Sequence, residues 1–150
     1  IDNTAARNYI ERYFERYPGV KRYMDDTRQL ARKQGYVETV FGRRLQLPEI
    51  NSPNGPRRQA AERAAINAPM QGTAADLIKM SMVAVQQAID GQRRASRMVM
   101  QVHDELVLEV PQAELDWVRA ELPRLMAGVA ELKVPLVAEV GVGQNWEQAH

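Results

Sequence analysis

Cysteine is absent from this 150-residue chain, which removes both a disulfide framework and a thiolate metal site from consideration. A reducing cytoplasm fits that absence. The sequence also lacks a signal peptide, a lipidation motif and any apolar run near the ~20 residues that cross a bilayer, so a soluble protein is expected. No internal repeat, low-complexity tract or break in composition marks a second domain. The first residue is Ile1 rather than Met, as expected of a piece excised from something longer. What is present, 45% hydrophobic residues, is enough to bury a core of one domain's size.

Charge is nearly balanced at +1, but unevenly spread. Residues 1 to 67 carry 13 Lys/Arg and 8 Asp/Glu, whereas residues 68 to 150 carry 7 and 11. A basic portion followed by an acidic one suits a surface that meets polyanion on one side and cations on the other, although an ordinary solvated surface also accommodates it.

Apolar spacing predicts a helix from Asn3 to Tyr17 with an aromatic stripe of Tyr9, Tyr13, Phe14 and Tyr17, expected to be core, ended by Pro18-Gly19. A second helix is expected from Val20 to Lys33, with Gly35 as its stop, and the two are expected to pack as a helical hairpin. Period-two alternation in Tyr36–Val40 and Arg43–Leu47, around Phe41-Gly42, predicts a small β-hairpin. Residues 48 to 56 read as a loop. Arg57 to Asp90 then reads as one long helix kinked near residues 68 to 72, where Pro69 and Gly72 fall. Another helix is expected from Pro111 to Met126, and a last strand from Val134 to Val142.

The stretch Arg97 to Val110 predicts two apolar strands, buried on both faces, joined at His103-Asp104-Glu105. That turn has no Gly, although tight hairpin turns usually need one for positive φ. Two carboxylates at the tip of an apolar hairpin serve local folding poorly, and such a conflict between levels often marks a functional site. A cation is expected there. Oxygen ligands without Cys suit Mg²⁺ or Mn²⁺, and Mg²⁺ typically takes only one or two protein carboxylates beside water and phosphate. Asp104 is the better ligand candidate, because Asp104 and Glu105 point to opposite sides of an extended chain. Taken alone, the same pair is also an ordinary solvated turn.

Arg63, Asn67 and Gln71, at i, i+4 and i+8, share one helix face, with Arg57 and Arg58 one to two turns earlier. Arg can bind phosphate, while Asn and Gln can donate to the acceptors that every base pair shows in the minor groove. A plain solvent-facing stripe would have the same spacing. His103 could hydrogen-bond a phosphate or sugar. Lys79 can snorkel to water from an apolar helix.

Read together, these segments resemble family A DNA polymerases, most nearly the bacterial members. Gln101-Val-His-Asp-Glu-Leu-Val-Leu-Glu109 resembles the family's third polymerase motif. Ala61-Glu-Arg-Ala-Ala-Ile-Asn-Ala-Pro-Met-Gln-Gly-Thr-Ala-Ala-Asp76 resembles the helix before it. Tyr36-Val-Glu-Thr, Gly42-Arg-Arg-Leu-Gln-Leu-Pro and the closing Gln144-Asn-Trp-Glu-Gln-Ala-His150 are similar to the same family. The resemblance implies an α+β fold: an antiparallel palm sheet with a motif hairpin, packed by long helices, as part of an incomplete polymerase palm and fingers. Residues 1–35 would end the fingers, and residues 36–150 would supply the hairpin, kinked helix, catalytic hairpin and last strand of the palm.

The same resemblance implies that Asp104 is one of two aspartates holding two catalytic Mg²⁺ ions, with Mn²⁺ as a substitute. Glu105 would be a nearby acidic helper and His103 would lie near the primer terminus. Arg63, Asn67 and Gln71 would track the minor groove of primer-template DNA, and Arg57 and Arg58 would contact its backbone. The first polymerase motif, with the other aspartate, and the fingers helix that grips the dNTP match nothing here. The implied partners are therefore primer-template DNA, dNTP and a missing N-terminal part of the same polymerase, with no membrane, in the bacterial cytoplasm at the nucleoid. Nucleotide transfer would belong to the complete enzyme, while this piece alone would be inactive. Two alternatives remain from the residues: a DNA-binding module without catalysis, and a two-metal nuclease, which would want more clustered carboxylates than the adjacent pair.

Overall fold

A computed structural model of the chain describes residues 2 to 149. Ile1 and His150, the ends noted above, lie outside the described residues. Helix α1 (Asn3–Arg16) starts on Asp2, whose carboxylate accepts the Ala5 amide at 2.7 Å, a side-chain cap of the usual kind. Pro18 then opens α2 (Pro18–Gln34), in the first turn, where its missing N–H costs nothing. Gly35 ends α2 at φ 80°, and its amide donates to the Ala31 carbonyl at 2.8 Å. A left-handed residue at that place is why the stop is Gly.

The chain divides into two units, Ile1–Thr73 and Ala74–His150, and each has its own core. In the first, Ala31, Val37, Leu47, Ile50, Ala61 and Ala65 are buried together. They come from α2, from the hairpin β1 (Tyr36–Glu38) and β2 (Arg44–Gln46) with the loop after it, and from α3 (Gly55–Gly91). Alanines of α2 and α3, Ala31 with Ala61 and Ala65, share this core. Two bonds join the same helices: the Tyr23 hydroxyl donates to the Ile66 carbonyl at 2.8 Å, and Arg32 donates to the Glu62 carboxylate at 2.6 Å.

One correction belongs to α1. Its aromatic stripe is not core: Tyr9 is 76% exposed, Tyr17 52% and Tyr13 44%, and α1 buries none of its residues. Helical periodicity shows that a face is apolar but not that anything covers it. Phe14 of the stripe is half-buried and α1 meets α2, but no residue of α1 is fully buried.

Helix α3 runs unbroken for 37 residues through Pro69. Relative to Ala, an interior Pro costs about 3 kcal/mol and Gly about 1 kcal/mol, so the turn holding Pro69 and Gly72 is its weakest. In the second unit Val85 and Ile89 of α3 are buried with Val118 and Leu122 of α4 (Leu115–Ala127), and Met98, Leu106, Leu108 and Val110 pack against them. Those last four belong to or follow the hairpin β3 (Arg97–Val102) and β4 (Glu105–Glu109).

Both sheets are two-stranded and antiparallel, β1 with β2 and β3 with β4. The fold is α+β as expected, with small antiparallel hairpins among long helices. The strand expected over Val134–Val142 is absent. The segment carries no strand pairing, because β-branched residues make a chain extended while only a neighbour's ladder makes it a strand. A four-residue helix, α5 (Trp146–Ala149), follows it.

Candidate functional site

The β3–β4 register determines the tip of the second hairpin. Val102 pairs with Glu105 and Gln101 with Leu106, leaving His103 and Asp104 as a two-residue loop. His103 takes φ 52°, whereas Asp104 is not among the residues with positive φ. Positive φ at only the first loop position is the pattern that normally selects Gly there. The Gln101 side-chain amide donates to the His103 carbonyl at 2.5 Å and braces the loop. His103 and Asp104 are exposed, and Glu105, already in the ladder, is half-buried.

Below the tip, the strands differ from the expectation of burial on both faces. Met98, Leu106 and Leu108 pack on the core, while Val99 and Met100 are exposed. The register shifts between Met98 and Met100, so Val99 is the extra residue of a bulge. Bulges bend and twist a hairpin and are frequent beside functional sites. Asp104 thus stands in the open on a hairpin whose other face is anchored in a core. Among the described residues, no three His, Cys, Asp or Glu side chains form a group able to hold a metal. The donor chemistry of Asp104 fits a hard cation, but only as one contributor to a shell completed by other ligands.

The basic constellation lies along the first half of α3. Ala61, Ala65 and Ile66 point to the core, which leaves Arg63, Asn67 and Gln71 exposed on another face. Among the described residues their side chains take no hydrogen-bond or ionic partner. Arg57 and Arg58 differ from them and from each other. Arg58 turns back on the protein, donating to the Ser52 carbonyl at 2.9 Å and lying 4.0 Å from Glu62. Arg57 is 3.8 Å from Glu49 and more exposed. The hydrogen bond from Arg32, followed by the charges of Arg32, Arg28 and Arg58, holds the Glu62 carboxyl below its usual range. Glu62 therefore stays charged and partly neutralises Arg58. The structure brings Arg63, Asn67 and Gln71 onto one open face and leaves Arg58 only partly available.

The family model for DNA polymerase family A matches residues 1 to 148. The chain belongs to DNA polymerase family A. It is 56% identical over 150 residues to DNA polymerase I of Pseudomonas aeruginosa, covering 100% of this chain and 16% of that protein. It is 46% identical over 149 residues to DNA polymerase I of Streptococcus pneumoniae, covering 99% and 17%. The chain thus spans about a sixth of the length of these relatives. Among solved structures it is similar to the POL domain of Pol1 from M. smegmatis in complex with DNA primer-template and dNTP. That match has a TM-score of 0.97 and 46% identity, and covers 99% of this chain and 26% of that one.

Within this family frame, sequence reasoning overlooked the contacts that hold the Gln71 turn. Thr39 and Arg43 of the first hairpin's turn meet Gly72 of α3, and the Val40 amide donates to the Thr73 hydroxyl oxygen. The available signal was Gly72 itself, an interior glycine in an Ala-rich helix, which often marks a close backbone approach.

Proposed function

We propose that this chain is the C-terminal part of the polymerase domain of a bacterial DNA polymerase I, and that the complete enzyme performs DNA-templated DNA synthesis in replication and repair. The observation that carries this reading is the exposed Asp104 on the glycine-free β3–β4 turn, in a chain that matches a polymerase domain in complex with primer-template and dNTP at a TM-score of 0.97.

In this account the primer 3′-hydroxyl, losing its proton, attacks the α-phosphate of a dNTP, so that a phosphodiester bond forms as the bond between the α-phosphorus and the bridging α–β oxygen breaks and pyrophosphate leaves. Divalent metals, Mg²⁺ or Mn²⁺, neutralise the charge that develops on the oxygens when they are bound. Asp104 is the ligand this chain supplies, and the opposing carboxylate comes from another part of the enzyme. Glu105 lies one residue along and adds negative charge beside the site, and His103 sits next to the primer terminus. Arg63, Asn67 and Gln71 hold the minor groove, where donors read acceptors common to all base pairs and so place the duplex without selecting sequence. Arg57, and Arg58 to a lesser degree, contact the DNA backbone. Much of the rate comes from such positioning and from electrostatics.

Asp104→Asn in the complete polymerase is the test. Steady-state turnover should fall by about two orders of magnitude or more, while primer-template affinity in a filter-binding or anisotropy titration stays near the parental value. Equal loss of both would show a folding defect and remove the metal-ligand assignment.

A further inference from the structure

Residues 69 to 73 are the least self-sufficient turn of α3. Pro69 has no N–H to give to the Ala65 carbonyl, and Gly72 contributes no side chain. The turn between β1 and β2 makes up for this. The Arg43 guanidinium donates to the Gly72 carbonyl at 2.9 Å, and the Val40 amide donates to the Thr73 hydroxyl oxygen at 3.0 Å. That hydroxyl in turn donates to the Pro69 carbonyl at 2.5 Å. Thr39 sits so close that a Cβ at Gly72 would stand 2.6 Å from its Cγ2. Thr39 is buried and cannot easily rotate away, because its hydroxyl oxygen accepts the amides of Phe41 at 3.3 Å and Arg43 at 3.2 Å. Gln71 lies inside this clamped turn with its own side chain exposed.

We propose that the β1–β2 turn is a positioning device for Gln71. Thr39 and Arg43 set the helix turn from which Gln71 meets the minor groove. The inference rests on the reading of Gln71 as a DNA contact and extends it to residues that need not touch DNA. Gly72 is Gly because the clamp closes through the space a side chain would fill.

The test uses the complete polymerase and a primer-template duplex, with KM for primer-template, KM for dNTP, kcat and the melting transition measured for each variant. Gly72→Ala is expected to raise the primer-template KM about fivefold or more while leaving the dNTP KM within about twofold. Adding Thr39→Ser removes the methyl that the new Cβ strikes but keeps the hydroxyl, so the double variant is expected to recover to within about twofold of the parent. In a Gln71→Ala background, Gly72→Ala is expected to add less than about twofold, since nothing remains to be positioned.

Undiminished damage from Gly72→Ala in that background, or no recovery with Thr39→Ser, would overturn the proposal in favour of a purely structural clamp. If Gly72→Ala does not fold, Arg43→Lys and Arg43→Leu decide: Lys keeps a donor for the Gly72 carbonyl and should stay near the parental KM, Leu should not, and equal values overturn the clamp. Gln71→Ala without effect on the primer-template KM removes the DNA contact itself and the inference with it. Gln71→Ala with an effect, beside a harmless Gly72→Ala, removes only the inference.

Discussion

At His103 the backbone departs from local preference. A histidine at φ 52° stands where Gly would be less strained, and a left-handed residue costs on the order of 1 kcal/mol. His103→Gly is therefore expected to leave the melting temperature of the complete polymerase unchanged or raised, while turnover falls. A lower melting temperature would mean that the imidazole is structural. Arg57 is exposed and only 3.8 Å from Glu49, so Arg57→Ala should weaken primer-template binding and reduce the slope of log K against log salt by about 1. An unchanged slope in a salt titration would exclude a phosphate contact. Glu114 works differently. It accepts the Ser96 hydroxyl and the amides of Ala95 and Ser96, and these bonds, the hydroxyl first, hold its carboxyl below the ordinary range. A depressed pKa stabilises above the unfolded value and loses that contribution as pH falls through the folded one. Melting followed from about pH 6 down to about pH 3 should show this acid limb, and Glu114→Gln should flatten it.

At the scale of elements, the helices were legible because apolar periodicity runs between Pro and Gly breaks, Pro18-Gly19 after the first and Gly35 after the second, although Pro18 itself opens α2 and Asp2 caps α1. The hairpin positions were legible for the same reason, by period-two alternation around Phe41-Gly42 and around the acidic turn. Coverage was less legible. Alternation predicted burial on both faces of β3 and β4, yet the bulge at Val99 and the exposure of Met100 depend on what lies opposite. The second unit's core is a firmer matter, since Leu122 of α4 is 4% exposed against Val85 and Ile89. Leu122→Ala should cost about 2 to 5 kcal/mol, read as a lower denaturant midpoint for that unit. A shift within experimental error would show that α4 is not part of the core.

For the whole molecule, the exposed stripe on α1 and the single candidate metal ligand on the β3–β4 turn point the same way. The relatives carry further polypeptide, since this chain spans 16% and 17% of their length. The isolated 150-residue chain is therefore expected to show no nucleotide incorporation, weak and salt-sensitive DNA binding, and concentration-dependent self-association in sedimentation, because uncovered apolar faces find each other. Primer extension by the purified chain at high dilution, free of contaminating polymerase, would refute the first of these.

Local chemistry in the sequence was enough to locate the helices, the two hairpins, the acidic turn and the polar stripe of Arg63, Asn67 and Gln71, because capping, periodicity and side-chain spacing act within a few residues. Resemblance in the same stretches was enough to indicate the family. Tertiary structure alone decided which faces are covered, that Val134–Val142 has no strand partner, that Arg58 is drawn toward Glu62, and that Thr39 and Arg43 close over Gly72. Each of those depends on residues far apart in the chain meeting in space, and no local pattern records which ones will meet.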